Sequence, residues 1–235
     1  MKAIRYACVA GALAMLSGPA VAEITANATV TNNYLWRGLT QTTNDAAVQG
    51  GLDYNHESGF YIGTWVSNVK YAPDDVFSYE HDVYFGFAGG DELTWDVGWL
   101  YYNYDNEAKF DFHEIYGSLG YKGFSATAFI LSGTEADEGL GQDFGFGSTY
   151  YLSLDYGFEL DNGLGIGLHI GRHAGDFNEA FNGVPGDYTD YNVSFAVKEF
   201  SLTVSGTDLS DVGPDGLDND AVKFVIAYSA EFDLN

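Results

Sequence analysis

Apolar and polar positions alternate with a period of two along most of this chain. Tyr79, His81, Val83, Phe85 and Phe87 fall on one side, and Glu80, Asp82, Tyr84, Gly86 and Ala88 on the other. Leu93, Trp95, Val97, Trp99 and Tyr101 oppose Thr94, Asp96 and Gly98; Leu152, Leu154 and Tyr156 oppose Ser153, Asp155 and Gly157. Leu164, Ile166, Leu168 and Ile170 oppose Gly165, Gly167, His169 and Gly171, and 191–197 and 222–232 repeat the scheme. Period two sends successive side chains to opposite faces of a strand, so each run predicts a strand with one apolar face. With the weaker runs included, strands are expected at 24–36, 46–55, 59–68, 78–88, 92–104, 110–121, 123–132, 148–159, 163–172, 187–197, 199–207 and 221–232.

The connections between these runs alternate in length. Those at 55–59, 88–92, 122–123, 160–163 and 198–199 are tight, whereas 37–45, 69–77, 105–109, 133–147, 173–186 and 208–220 are longer. A soluble sandwich has no reason to sort its loops this way; an up-and-down outer-membrane barrel has tight turns at one rim and long loops at the other. Tilted strands of ~9–11 residues are enough to cross a bilayer. The fold expected is therefore all-β, an up-and-down antiparallel transmembrane β-barrel of about 12 strands. A soluble sandwich, or a lipocalin-like barrel of inverted polarity, shares the alternation but not the loop sorting.

The N-terminus supplies the export route. Lys2 and Arg5 precede an apolar run over 6–16, and Ala20-Val21-Ala22 stands before Glu23, the pattern of a secretory signal peptide. The domains expected are a signal peptide at 1–22 and an outer-membrane β-barrel at 23–235. No later stretch is apolar over eighteen residues, so no transmembrane helix is expected. The one cysteine, Cys8, lies in the leader, which excludes a disulfide framework.

Composition agrees and narrows the chemistry. Aromatics make up 17% and Gly 30 residues against only 4 Pro, a bias toward strands. With 34 acidic against 9 basic residues the chain repels phosphate, so nucleic acid is not a partner. There is no Gly-x-Ser-x-Gly, no Walker loop and no His-Glu-x-x-His, since His113-Glu114 runs on into Ile115-Tyr116-Gly117. Gly139-Leu140-Gly141 has no βαβ context. His169 and His173 share a strand face but stand ~13 Å apart, too far for one metal. No cofactor is called for. An outer-membrane esterase or phospholipase would need Ser118 to meet His113 or His169, which is the weakest of the functional readings.

Lipid tolerates apolar side chains and excludes carboxylates, which assigns the faces. The strand acids Asp53, Glu80, Asp82, Asp96, Glu114, Asp155, Asp190 and Glu231 fall on the inner face, joined by Lys223 and by Arg37 at the mouth of the first strand. These ten are the candidate channel-lining residues. Trp36, Tyr54, Tyr101, Tyr121, Tyr150 and Tyr188 sit near strand ends, as an interfacial girdle would. The acidic loop 208–220 is read as a solvated external loop; Asp211, Asp215, Asp218 and Asp220 form a weaker Ca²⁺ candidate without EF-hand spacing. Divalent ions bridging such loops to lipopolysaccharide would make lipid and lipopolysaccharide partners of the barrel.

Residues 32–69, NNYLWRGLTQTTNDAAVQGGLDYNHESGFYIGTWVSNV, resemble the opening of the TorF-family putative porins of Gram-negative bacteria. The resemblance is carried by Tyr34, Trp36-Arg37-Gly38, Thr40-Gln41-Thr42, Ala47, Gln49-Gly50-Gly51, Asp53-Tyr54, His56, Ser58-Gly59-Phe60-Tyr61, Gly63, Trp65 and Ser67-Asn68-Val69. It implies an outer-membrane barrel assigned as a porin, with no established substrate. Two positions depart from the pattern: Asn44-Asp45 stands before Ala46-Ala47 where a Pro-Ala pair is usual, and the chain closes with Phe232-Asp233-Leu234-Asn235 rather than an aromatic residue. The function expected is passive diffusion of small solutes or ions, with a preference for cations; the alternative is a non-conducting structural or adhesion barrel.

The topology is testable on intact cells. An epitope placed in 133–147 or 208–220 is expected to be labelled from outside, and one placed at Asn162-Gly163 is not. Labelling in the opposite sense would invert the assignment.

Overall fold

The computed structural model describes residues 23–234 apart from 73, 214, 215, 217 and 220; the expected leader lies outside the described residues. Twelve strands form the wall: β1 (Glu23–Thr31), β4 (Ala47–Asn55), β5 (Phe60–Asn68), β6 (Tyr79–Gly90), β7 (Leu93–Tyr104), β8 (Phe112–Tyr121), β9 (Phe124–Thr134), β10 (Tyr150–Glu159), β11 (Gly165–Ala174), β12 (Tyr188–Val197), β13 (Phe200–Thr207) and β14 (Lys223–Asp233). Each pairs antiparallel with its neighbours in chain order, and β1 closes the barrel between β14 and β4. A short hairpin, β2 (Leu35–Trp36) with β3 (Leu39–Thr40), and a helix, α1 (Asp176–Asn182), lie outside the wall's ladder.

Eleven strands begin and end within two residues of expectation. The first does not. It was expected to reach 36 but ends at Thr31, because Asn32 takes the place of a further wall residue. Its side-chain amide donates to Phe224 O at 3.0 Å and accepts from Ile226 N at 2.6 Å, imitating a peptide group on β14. The backbone is thereby free to turn inward at Asn33. The helix α1 was likewise unexpected within 173–186.

The faces follow the alternation. On the outside, Leu154 is 61% and Phe224 63% exposed, while on the inside Glu80 and Asp190 are each 1% exposed. Exposed apolar side chains with buried carboxylates reverse the usual arrangement of a soluble domain and suit a wall bathed in lipid. Two members of the expected girdle belong elsewhere. Trp36 and Tyr188 are buried inside the barrel, because Trp36 travels with the inward hairpin and Tyr188 has inward parity on β12. Tyr121 and Tyr150 do point outward near strand ends.

The abundance of glycine has a packing explanation. Inward tyrosines lie across glycines of the adjacent strand: a Cβ on Gly86 would stand 2.3 Å from the Tyr61 hydroxyl, and one on Gly98 2.4 Å from that of Tyr116. On Gly171 it would meet the Tyr151 hydroxyl at 2.0 Å. Glycine here makes room for a ring rather than a bend. At the short-turn rim Lys122 (φ 47) and Gly123 (φ 85) form a two-residue hairpin turn of the primed kind, whose twist matches the strands it joins.

Placing arginine at an outward position of the wall tests this parity. Leu154→Arg and Phe224→Arg are each expected to destabilise the folded barrel by about 2–4 kcal/mol near the midplane, read from unfolding titrations in lipid vesicles. Inward Ser153→Ala should leave the midpoint nearly unchanged.

Candidate functional site in the bore

The segment 32–46 folds into the barrel as a hairpin, and Arg37 is at its tip. Trp36 pairs with Leu39 across a two-residue turn in which Arg37 (φ 49) and Gly38 (φ 81) are both left-handed. Such a turn prefers Asn-Gly, so arginine in its first position is strained and must be held by its contacts. Gly38 is required, since a Cβ there would lie 2.5 Å from Asp190 Cβ. Tyr188 anchors the turn by donating its hydroxyl to Arg37 O at 2.8 Å.

The Arg37 guanidinium donates to Glu114 Oε2 at 2.6 Å and to His173 Nε2 at 2.9 Å. Arginine has no acceptor, so His173 presents an unprotonated Nε2 to it. The cation also faces the rings of Trp36 at 4.2 Å, Tyr151 at 4.5 Å and Phe129 at 5.1 Å. Burial opposes the charge, but the Glu114 carboxylate outweighs it and holds the guanidinium pKa above its ordinary value. Tyr102 adds a hydroxyl to Glu114 Oε2 at 3.1 Å.

Aromatic side chains fill the bore around this pair. Trp36 meets Tyr102, Phe112, His173 and Phe181 edge-on. Phe177 and Phe181 of α1 pack on Phe112 with ring centroids 5.0 and 5.2 Å away. The half of the bore nearer the long loops is thus packed.

Elsewhere along the bore, inward tyrosines and a histidine pair with acids. Tyr61 donates to Asp96 at 2.6 Å and also touches the Tyr116 hydroxyl; Tyr84 donates to Asp53 at 2.5 Å. His169 bridges Asp155 at 2.6 Å and Asp190 at 3.0 Å. Two carboxylate acceptors, one on each ring nitrogen, call for the doubly protonated imidazolium.

The expected lining residues therefore sort into groups. Arg37 is not at the mouth but inside the bore with Glu114, because the hairpin carries it there. Asp155 and Asp190 are joined through His169. Glu80 and Asp82 are neighbours on β6, Glu80 accepting from Tyr34 at 3.1 Å. Asp53 and Asp96 each hold a tyrosine, and Glu231 stands exposed at the short-turn end of β14. Lys223 donates to Asn219 O and Ala221 O, both at 3.4 Å, at the loop end. Sequence reasoning missed the tyrosine hydroxyls and His173, although their inward parity was the same signal that selected the acids.

In the acidic loop Asp211 accepts from Asn219 Nδ2 at 2.9 Å and Asp218 bridges to Val212; Asp215 and Asp220 lie outside the described residues. Ser118 accepts from Thr127 at 2.9 Å inside the barrel, whereas His113 lies on the opposite face against Ser132 at 2.6 Å. That separation removes the Ser118–His113 pair as a catalytic arrangement.

A closed, up-and-down twelve-stranded barrel with an apolar exterior and a charged interior is a membrane barrel of porin architecture. The chain belongs to a bacterial family of unknown function, Gcw_chp, whose model matches residues 16–214. No curated protein sequence matches it significantly. Among solved structures, the KdgM porin superposes with a TM-score of 0.51 at 9% identity, over 91% of this chain and 99% of that one. The same porin in complex with disordered oligogalacturonate gives the same values. A structure from work on in-meso crystallization of membrane proteins gives a TM-score of 0.53 at 8% identity, over 90% of this chain and 84% of that one. At such identities the likeness establishes the fold.

Removing one partner of the buried pair leaves the other uncompensated. Arg37→Ala and Glu114→Gln are each expected to lower stability by roughly 3–5 kcal/mol, measured by denaturant unfolding in detergent. The double variant should lose much less than the sum. Strictly additive losses would show that the pair does not act as a unit.

Proposed function

We propose that this protein is an outer-membrane porin-like channel, exported by its leader, for passive passage of small solutes or ions with a preference for cations. The resemblance of 32–69 to the TorF-family putative porins fits that role. The observation that carries the reading is the inner face of a closed barrel bearing Asp53, Glu80, Asp82, Asp96, Glu114, Asp155, Asp190 and Glu231 against few cations. In a confined bore with low-dielectric walls, that balance concentrates cations and excludes anions. The oligogalacturonate complexed with the KdgM porin is a polyanion, which such a bore repels; the solutes proposed here are cationic or neutral. The channel acts by electrostatics and size exclusion, without covalent chemistry.

The hairpin and α1 make the path narrow at the loop end, so conductance is small unless the hairpin moves. A filled bore also favours a second reading, a non-conducting structural or adhesion barrel. Tyr188 and Leu131 at 0% exposure are what such a barrel would show. Planar-bilayer recording separates the two, since a silent protein supports the second.

Reversal potentials in asymmetric salt are expected to report cation over anion preference. The preference should be strongest in dilute salt, because screening shortens from ~10 Å at 0.1 M to ~3 Å at 1 M. Neutralising Asp82, Asp96 and Asp155 together should reduce selectivity without closing the pore. An anion-selective wild type would overturn the assignment of these acids to the path.

A further inference from the structure

The Arg37–Glu114 ion pair leaves two further buried carboxylates outside it. Glu80 and Asp82 stand two residues apart on the inner face of β6, ~7 Å along the strand. Glu80 is 1% and Asp82 8% exposed. Glu80 accepts from Tyr34, but Asp82 Oδ1 is buried without a hydrogen-bond partner. A buried carboxylate oxygen of this kind calls for a proton, a donor or a cation. Arg37, the buried cation on this side of the bore, is committed to Glu114 and His173.

The surroundings of the pair are rich in oxygen, with the Glu114 carboxylate also within electrostatic reach of Asp82. Tyr34, Tyr71, Tyr102 and Tyr104 all lie within electrostatic reach of both acids. Burial, and then the Glu80 charge, hold the Tyr34 and Tyr71 hydroxyls well above their ordinary range, so both stay protonated. Hydroxyls, carbonyls and carboxylates suit hard cations; they do not suit zinc or copper, which favour nitrogen and sulfur.

We propose that Glu80 and Asp82 form an internal binding site for a single hard divalent cation, with Ca²⁺ as the charge-matched ion. The two carboxylates balance its charge, and neighbouring oxygens and water complete its shell. Among the described residues no group of three or more His, Cys, Asp or Glu is placed to hold a metal, so this is a two-carboxylate site rather than a carboxylate cage. The ion answers Asp82 Oδ1 and ties β6 to the inward hairpin through the Tyr34–Glu80 bond. The inference deepens the cation preference proposed above but needs no current to flow.

Terbium tests it in the full-length folded barrel in detergent, after stripping with EDTA. Tb³⁺ occupies Ca²⁺ sites and is sensitised by nearby aromatic rings; here Tyr34 lies 5.5 Å from Trp65, whose register partner across the sheet is Asp82. Wild-type protein is expected to give aromatic-sensitised emission that Ca²⁺ displaces. Asp82→Asn and Glu80→Gln should each weaken binding on the order of tenfold or more, while Asp137→Asn in an exposed loop should not. Unaltered titrations in both bore variants, or no displaceable emission from the wild type, would overturn the site and leave Asp82 as a protonated acid. Should the variants misfold, the wild type alone decides: Ca²⁺ must raise its denaturant midpoint over EDTA, and equal midpoints dismiss the proposal. A barrel that binds terbium yet stays silent in a bilayer keeps the site and loses the channel.

Discussion

One guanidinium organises the interior of this barrel. Arg37 is buried at the tip of a strained turn, and the turn alone would not keep it there. It is kept by Glu114 and His173 from the far wall, by the faces of Trp36 and Tyr151, and by Tyr188 on its carbonyl. Each of these partners comes from a different element. The contact therefore joins β8, β10, β11 and β12 to the hairpin β2–β3 through a single charged group. Desolvating an arginine is costly, and only such an enclosure of acid, acceptor and ring faces offsets it.

The wall does not need the hairpin. β1 pairs with β4 from Glu23–Asn55 to Thr31–Ala47, so the ladder is complete before the chain turns inward at 32 and after it returns at 46. A tight turn would join those strands equally well. The fifteen or so residues between them serve the bore instead, where they carry Tyr34 to Glu80 and Arg37 to Glu114. Local strain at Arg37, a glycine that cannot be replaced at 38 and a buried charge all gather in one segment. Strain of that kind is commonly stored where a protein functions.

Much of the architecture was legible because two constraints act on every wall residue. The pleat alternates faces, and lipid on one side admits no carboxylate, so Glu80, Asp82, Asp96 and Asp190 could be placed inside from parity alone. What failed did so for a physical reason. Tyr34-Leu35-Trp36 is a short apolar run that reads as the end of a strand, and only the Asn32 side chain, mimicking a peptide against β14, reveals that the wall has ended. The seven residues of α1 are too few to display a helical period. Parity also says nothing about which inward residues meet. The Tyr61–Gly86 and Tyr116–Gly98 pairs depend on register, and Arg37–Glu114 on a hairpin whose destination the sequence does not encode locally.

The interior is asymmetric along the barrel axis, and this bears on how any solute would move. Toward the short turns, Asp53 is held by Tyr84 and Asp155 by His169, and both keep some exposure. Toward the long loops, Phe112, Phe177, Phe181 and Trp36 close ranks around Arg37. The short-turn end of the bore presents carboxylates, and the loop end presents packed aromatic rings. Displacing those rings means withdrawing Arg37 from Glu114, which leaves the carboxylate buried and unpaired unless a cation replaces the guanidinium. In the proposed channel a small cation would do that, whereas an anion or an apolar solute would not. In the channel proposed above, the charge pattern of the bore and the lock on its hairpin would favour the same class of solute, because the group at the lock is itself a cation held by a carboxylate.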